Sequence, residues 1–204
     1  MRRPPLRFLL GPRPGALTIA ACLLACSPAR APEPAPAGFI WPVPAGWKKE
    51  TIPFPLDFAP ELPYRGVEEL RFMPGFFDPK AGGFWSYAFV WWVEGQPRLD
   101  AAILSANLRT YFVGLARAVA EGKFPVDPSA FQVSLAPGED RGFRGTLRVL
   151  DAFKTHEMID LLARIRVTTC GDHTAVLAAI APPPWTPEKT EALEALTRAF
   201  ACGR

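Results

Sequence analysis

"FWSYAFVWWVEG", residues 84–95, is the most strand-like stretch of the chain. Aromatic and β-branched residues fill it, the types that suit a pleated sheet surface. Both of its alternating faces are apolar. A strand that is apolar on both faces needs cover on both. The stretch therefore predicts a central strand, with packing layers above and below it.

The flanking segments supply the rest of a sheet. "GVEELRF", residues 66–72, is a short strand candidate. Before it, Ile52, Phe54, Leu56 and Phe58 recur with a period of two. Pro53 and Pro55 lack the amide hydrogen a central strand needs, so this segment belongs at a sheet edge or on the surface as an extended strap. Beyond the central strand the period changes. Leu104, Leu108, Tyr111, Phe112, Leu115 and Val119 fall on one stripe of a helix over about 99–121. Gly122 is placed to end it. Alternation then returns. Phe131, Val133 and Leu135 make one strand, and Phe143, Gly145, Leu147 and Val149 make another across the turn "PGEDRG". A long strand follows from Ile159 to Val167, and the loop "CGDH" leads to the strand "TAVLAAIA", residues 174–181. "PPP" breaks the pattern. Thr186 then caps a last helix with Pro187 in its first position, and Leu193, Leu196 and Phe200 form its buried stripe.

This order predicts an α+β fold: an antiparallel sheet of about six to seven strands packed by two helices, as a two- or three-layer sandwich. The element order resembles that of PsbP-like and Mog1-like proteins. The resemblance is topological and rests on no motif. It implies a binding or assembly scaffold more than an enzyme. "FPLDFAP…GVEELRF…FWSYAFVWW" also resembles a recurring type of uncharacterised bacterial exported protein, which implies export and carries no activity.

The first part of the chain reads differently. Ten of the 24 prolines precede Ala45. Arg2, Arg3, Arg7 and Arg13 precede "GALTIAACLLA", an apolar run of roughly 11 residues that fits a secretory signal. A bilayer-spanning helix takes about 20. Leu23-Leu24-Ala25-Cys26 closes the run. This resembles the lipobox of bacterial lipoproteins, which implies cleavage before Cys26 and its lipidation. Ile19-Ala20-Ala21-Cys22 is a second match, but it leaves almost no apolar run after "GPRPG". Ordinary cleavage after Ala31 competes, with Pro32 in an unfavourable first position. The expected organisation is a signal peptide over 1–25, a Pro/Ala-rich tether over 26–44, extended as polyproline II, and one α+β domain over 45–204. The expected address is the bacterial cell envelope, anchored by lipid at the outer membrane or the periplasmic face, or otherwise secretion.

Charge narrows the partners. The chain carries +3, and loss of the four leader arginines leaves −1. Nucleic-acid binding needs a dense basic footprint, so no nucleic-acid partner is expected. The membrane, through the anchor, and a protein or small molecule remain.

Among candidate sites, Cys170 and Cys202 form an even pair once the leader is gone, and outside the cytoplasm such a pair reads as a disulfide. "HEMID", His156 to Asp160, lacks the second histidine of a zinc-protease helix and opens a strand instead, so no metal is expected there. His173 stands beside Asp172 with no evident nucleophile, and no GxSxG, P-loop or dinucleotide fingerprint occurs. No cofactor or catalytic residue is assigned. Glu68, Glu69, Asp78 and Glu94 surround the aromatic region, where two of them could act as an acid–base pair. Arg144, Arg148, Arg164 and Arg166 lie opposite the apolar residues of two consecutive strands. If those strands pair, the four are candidates for an anion-binding patch, against the alternative of a sheet face neutralised by acids. Trp85, Trp91 and Trp92 belong to the core or edge an apolar groove. The function expected is an exported, lipid-anchored, non-catalytic binding or assembly module, with an exported hydrolase using carboxylates or His156 and His173 as the alternative.

Overall fold

The computed structural model describes residues 38–138 and 142–203. Its elements run β1 (Phe39–Ile40), β2 (Lys48–Phe54), β3 (Gly66–Phe72), β4 (Tyr87–Glu94), α1 (Ala101–Ala120), a short 3-10 turn (Pro128–Ala130), β5 (Gln132–Pro137), β6 (Phe143–Leu150), β7 (Met158–Cys170), β8 (His173–Ala181), α2 (Pro187–Arg198) and β9 (Ala201–Cys202). Seven strands form one sheet in the order β2-β3-β4-β8-β7-β6-β5, and β1 with β9 forms a separate ribbon. Every pairing is antiparallel. The α+β class, the strand number and the two helices agree with the sequence.

The two helices lie on opposite faces, so the arrangement has three layers. Successive strand residues point to opposite sides. Phe89, Trp91, Val176 and Ile180 meet Leu104, Leu108 and Phe112 of α1. Val90, Leu177 and Ala179 meet Leu193 and Leu196 of α2. β4 is buried from Tyr87 through Val93, as its two apolar faces require.

Local chemistry sets the element ends. The Asp100 carboxylate accepts from the Ile103 amide and starts α1. The helix stops at Glu121, whose φ of +47° is already left-handed, one residue before Gly122 takes the same turn. Thr186 accepts from the Lys189 amide to start α2, with Pro187 first in the helix. β2 is an edge strand, where Pro53 costs no central ladder bond. It begins at Lys48 and ends at Phe54, so the expected alternation to Phe58 lies partly outside the ladder, although Leu56 is still buried. At the other edge, the Leu135 amide of β5 donates to Ser105 Oγ of α1, which closes part of that edge.

The expected boundary at Ala45 is too late. Phe39 and Ile40 pair with Cys202 and Ala201. Trp41 is buried, and its indole Nε1 donates to the Leu196 carbonyl at 2.9 Å. The Arg71 guanidinium lies over the Trp41 ring and donates to the carbonyls of Trp41 and Pro42. Phe39 to Trp41 are apolar residues inside a proline-rich stretch. Their partners come from the far end of the chain, so local composition hides them. The rest of the expected tether, the signal segment, Cys22 and Cys26 lie outside the described residues.

Cys170 and Cys202 are joined, with Cα atoms 5.5 Å apart. The bond ties the end of β7 to the β1–β9 ribbon beside α2.

Candidate functional site

A hollow of about 360 Å3 opens on the α1 face of the sheet. That volume falls within the roughly 300–1,000 Å3 of small-molecule sites. Its floor is the sheet: Glu50 and Ile52 of β2, Leu70 and Phe72 of β3, and Tyr87 at the start of β4. Tyr111 and Leu115 of α1 and Phe58 form one wall. Phe76, Phe77 and Trp85, from the loop between β3 and β4, and Phe153, after β6, form the other.

That loop is held by its own backbone. The amides of Met73, Trp85 and Ser86 donate to the carbonyls of Ser86, Phe76 and Gly83. Gly83 is required, because a Cβ there would lie 2.0 Å from the Pro74 carbonyl oxygen. Trp85 sits at φ +46°, a region bulky residues seldom enter. The backbone cost is offset by burial of its indole, which is 2% exposed. Phe76 is the hub of the ring cluster. It lies 4.7 Å from Phe72, 4.8 Å from Phe77, and 5.5 Å from both Trp85 and Tyr87. Phe77 is 42% exposed and stands at the rim.

Glu68 lies on the same face of β3, next to this floor. Its neighbours in the strand ladders are Ile52 and Trp91. The side chain is fully buried. Its Oε1 accepts from the Trp91 indole at 3.0 Å, while Oε2 has no hydrogen-bond partner. Burial pushes this carboxyl up to about 8. The Trp91 donor and the nearby Tyr111 hydroxyl offset part of that rise, and the Glu50 charge adds to it. Glu68 is therefore mostly protonated at neutral pH. Burial also pushes Tyr87 and Tyr111 upward, with the Glu68 charge adding to the effect.

The other acids do not gather around Glu68. Glu69 points to the opposite sheet face and pairs with Arg71 at 2.7 Å. Asp78 is exposed and accepts from the Lys80 amide. Glu94 is exposed at the end of β4, opposite His173.

The four arginines do share one sheet face, since β6 pairs with β7 and Arg144 faces Arg164. Arg148 donates to Asp160 at 3.0 Å. Arg164 pairs with Glu194 and lies 4.8 Å over the Trp185 ring. Arg166 donates to the Thr197 carbonyl at 2.7 Å. Arg144 and Arg164 border a hollow of about 330 Å3 together with Glu194. An anion there would compete with that carboxylate for Arg164.

The histidines lie apart from the aromatic hollow. His173 is stacked 4.7 Å from Trp92 and bonded to Asp172 at 2.6 Å. His156 is exposed, stacks 4.3 Å from Phe124, and precedes the strand that "IDLLARIRV" forms. Trp91 and Trp92 are core residues on opposite faces, while Trp85 is the one that edges a hollow. Among the described residues no cluster of His, Cys, Asp or Glu is arranged to hold a metal ion, and no helix is long and apolar enough to cross a membrane.

Sequence reading missed Glu50, Phe76, Phe77 and Phe153. The available signal was "FMPGFF", residues 72–77, which sets three phenylalanines around a Pro-Gly turn. Rings in a turn are poor strand material and need a tertiary reason.

No protein-family model matches the chain, and no curated protein matches its sequence. Two solved structures overlay on it loosely. One is the cyanobacterial PsbP protein of Synechocystis, with a TM-score of 0.38, 14% identity, and coverage of 81% of this chain and 87% of that one. The other is LpqN, involved in cell envelope biogenesis of Mycobacterium tuberculosis, with a TM-score of 0.30, 15% identity, and coverage of 81% and 82%. Neither likeness says what this chain does.

Proposed function

We propose that this protein is an exported, lipid-anchored, non-catalytic module that binds an apolar small molecule in the hollow between α1 and the sheet. The aromatic hollow carries the reading. Apolar walls with very few polar groups are what small-molecule sites are made of. This one is assembled by a tightly hydrogen-bonded loop with a strained tryptophan, a construction that core packing alone does not require. The leader and Cys26 support export and anchoring. The acyl chains attached at that cysteine would hold the domain at a membrane, because stable attachment takes more than one chain. The hydrolase alternative draws no support from the histidines, neither of which lines the hollow.

Two measurements test this. Titration of the full chain with decanol, followed by tryptophan fluorescence, should give a saturable change, because Trp85 lines the site. A response that stays linear in ligand overturns the binding reading. Fatty-acid labelling of the wild type and of Cys26→Ser should show label only in the wild type. Label that persists in the variant overturns the anchor.

A further inference from the structure

We propose that the hollow selects a cationic apolar ligand: a hydrocarbon body that carries an alkylammonium head group, seated with the head group against Glu50 and the surrounding rings. This rests on the binding reading above and specifies its ligand class.

Charge complementarity is the argument. Glu50 is the only charged residue among those that line the hollow. It is exposed, so a charged head group can meet it while keeping part of its water. Around it the lining is ring after ring: Phe72 and Tyr87 in the floor, and Phe76, Phe77, Trp85 and Phe153 together in one wall. An aromatic face is the negative side of a quadrupole and attracts a cation held over it. No basic residue lines the site. An anionic head group would lose water, gain no counter-charge, and face the Glu50 carboxylate. The adjoining hollow, across Phe76 and Phe77, holds Lys48 and Asp78, one charge of each sign, and so adds no net charge. A neutral alcohol would use the apolar walls and leave Glu50 idle.

The phenylalanine positions fix where the head group goes. Phe77 stands exposed at the rim, 5.4 Å from Phe153 in the same wall. The hydrocarbon body points inward toward Trp85 and Tyr87, which are 2% exposed. This order gives the head group water and the tail none, the preference of any amphiphile.

The test compares three ligands of one chain length below their micelle concentrations, on the full chain, by tryptophan fluorescence at fixed ionic strength. They are decyltrimethylammonium, decanol and decanoate. The expected order is decyltrimethylammonium about tenfold tighter than decanol, with decanoate weakest, a gap the size of one cation–π or charge contact. Glu50→Gln should weaken decyltrimethylammonium by about tenfold, again one charge contact, and leave decanol unchanged. Phe77→Leu keeps an apolar rim without the ring and should weaken the ammonium ligand alone. If decanol binds as tightly as decyltrimethylammonium, or if Glu50→Gln changes neither, the head-group inference is overturned while the apolar site stands. If decanoate binds tightest, the inference is also overturned. If none of the three saturates, both readings fail.

Discussion

The two faces of the sheet are packed on different plans, and β4 shows both within seven residues. Toward α1 it sends Tyr87, Phe89 and Trp91; toward α2 it sends Ala88, Val90 and Trp92. On β8 the α2 side is mostly alanine: Ala175, Ala179 and Ala181, with Leu177 among them. Small side chains let Leu193 and Leu196 sit down closely, and the disulfide, Trp41 and Arg71 close the perimeter. The α1 side is built from large rings that leave a hollow, and it buries a carboxyl with one oxygen unpaired. Native cores keep few voids and few such groups. One face is arranged for stability, and the other keeps slack where a ligand can sit.

The largest expected effect tests whether the faces are independent. Replacing both cysteines, Cys170→Ser with Cys202→Ser, removes a bond that closes 32 residues of sequence. The chain-entropy model gives a loss of roughly 3 to 4 kcal/mol. Urea unfolding should show it as a lower midpoint. Decanol binding, measured under folding conditions, should not change. A matching loss of binding would mean that the ribbon and α2 shape the hollow through the sheet.

A slightly smaller effect, opposite in sign, belongs to the α1 face. In the unfolded chain the Glu68 carboxyl titrates near 4.5, and in the fold near 8. The folded state therefore holds a proton that the unfolded state gives up, so stability falls as pH rises between those values and levels off above them. Each unit is about 1.4 kcal/mol, which makes the cost at pH 7 on the order of 3 kcal/mol. Glu68→Gln keeps an acceptor for the Trp91 indole and cannot ionise. It should be more stable than wild type at pH 7 and should lose the decline between pH 5 and 8. Parallel stability curves for the two proteins would defeat this account.

Added volume should separate the faces next. Ala179→Leu forces carbon into the closed α2 interface and should cost about 1–3 kcal/mol. Leu115→Phe adds volume where the hollow has room. It should cost less than about 1 kcal/mol and weaken decanol binding by blocking the site. Equal costs would show that the hollow is not open to filling.

These contrasts explain which parts were legible in the sequence. Strand and helix periods are local, so β4, α1, β7 and β8 could be read from residues such as Phe89 and Leu108 without knowing their partners. The caps Asp100 and Thr186 are local as well. Three features were not local. The β1–β9 ribbon depends on pairing Phe39 with Cys202, and no periodicity in a two-residue strand announces that. The number of layers depends on which side each helix takes, which sequence order leaves open. The hollow depends on a turn that folds Phe76 against Tyr87, and on Glu68 facing inward from a strand whose other acid, Glu69, faces out. "VEEL" looks the same whichever of its two glutamates is buried. Only the register of β3 between β2 and β4 decides it.

The smallest stability effect is expected where the functional effect is large. Phe77 is an exposed ring that meets Phe76 edge-on at 4.8 Å and approaches Phe153 at 5.4 Å. Part of its surface is already in water, so Phe77→Ala removes less buried area than truncation of a core phenylalanine would. It should lower unfolding free energy by about 1 kcal/mol, well below the roughly 3–5 kcal/mol of a core Phe→Ala change. A ring kept at a rim for packing alone would cost more when removed and leave binding untouched. A ring kept for a ligand gives the reverse: near-normal urea unfolding with decanol affinity down about tenfold, roughly the value of one lost apolar contact. The ratio of the two effects, measured on one variant, separates a core residue that happens to show from a binding residue that has to.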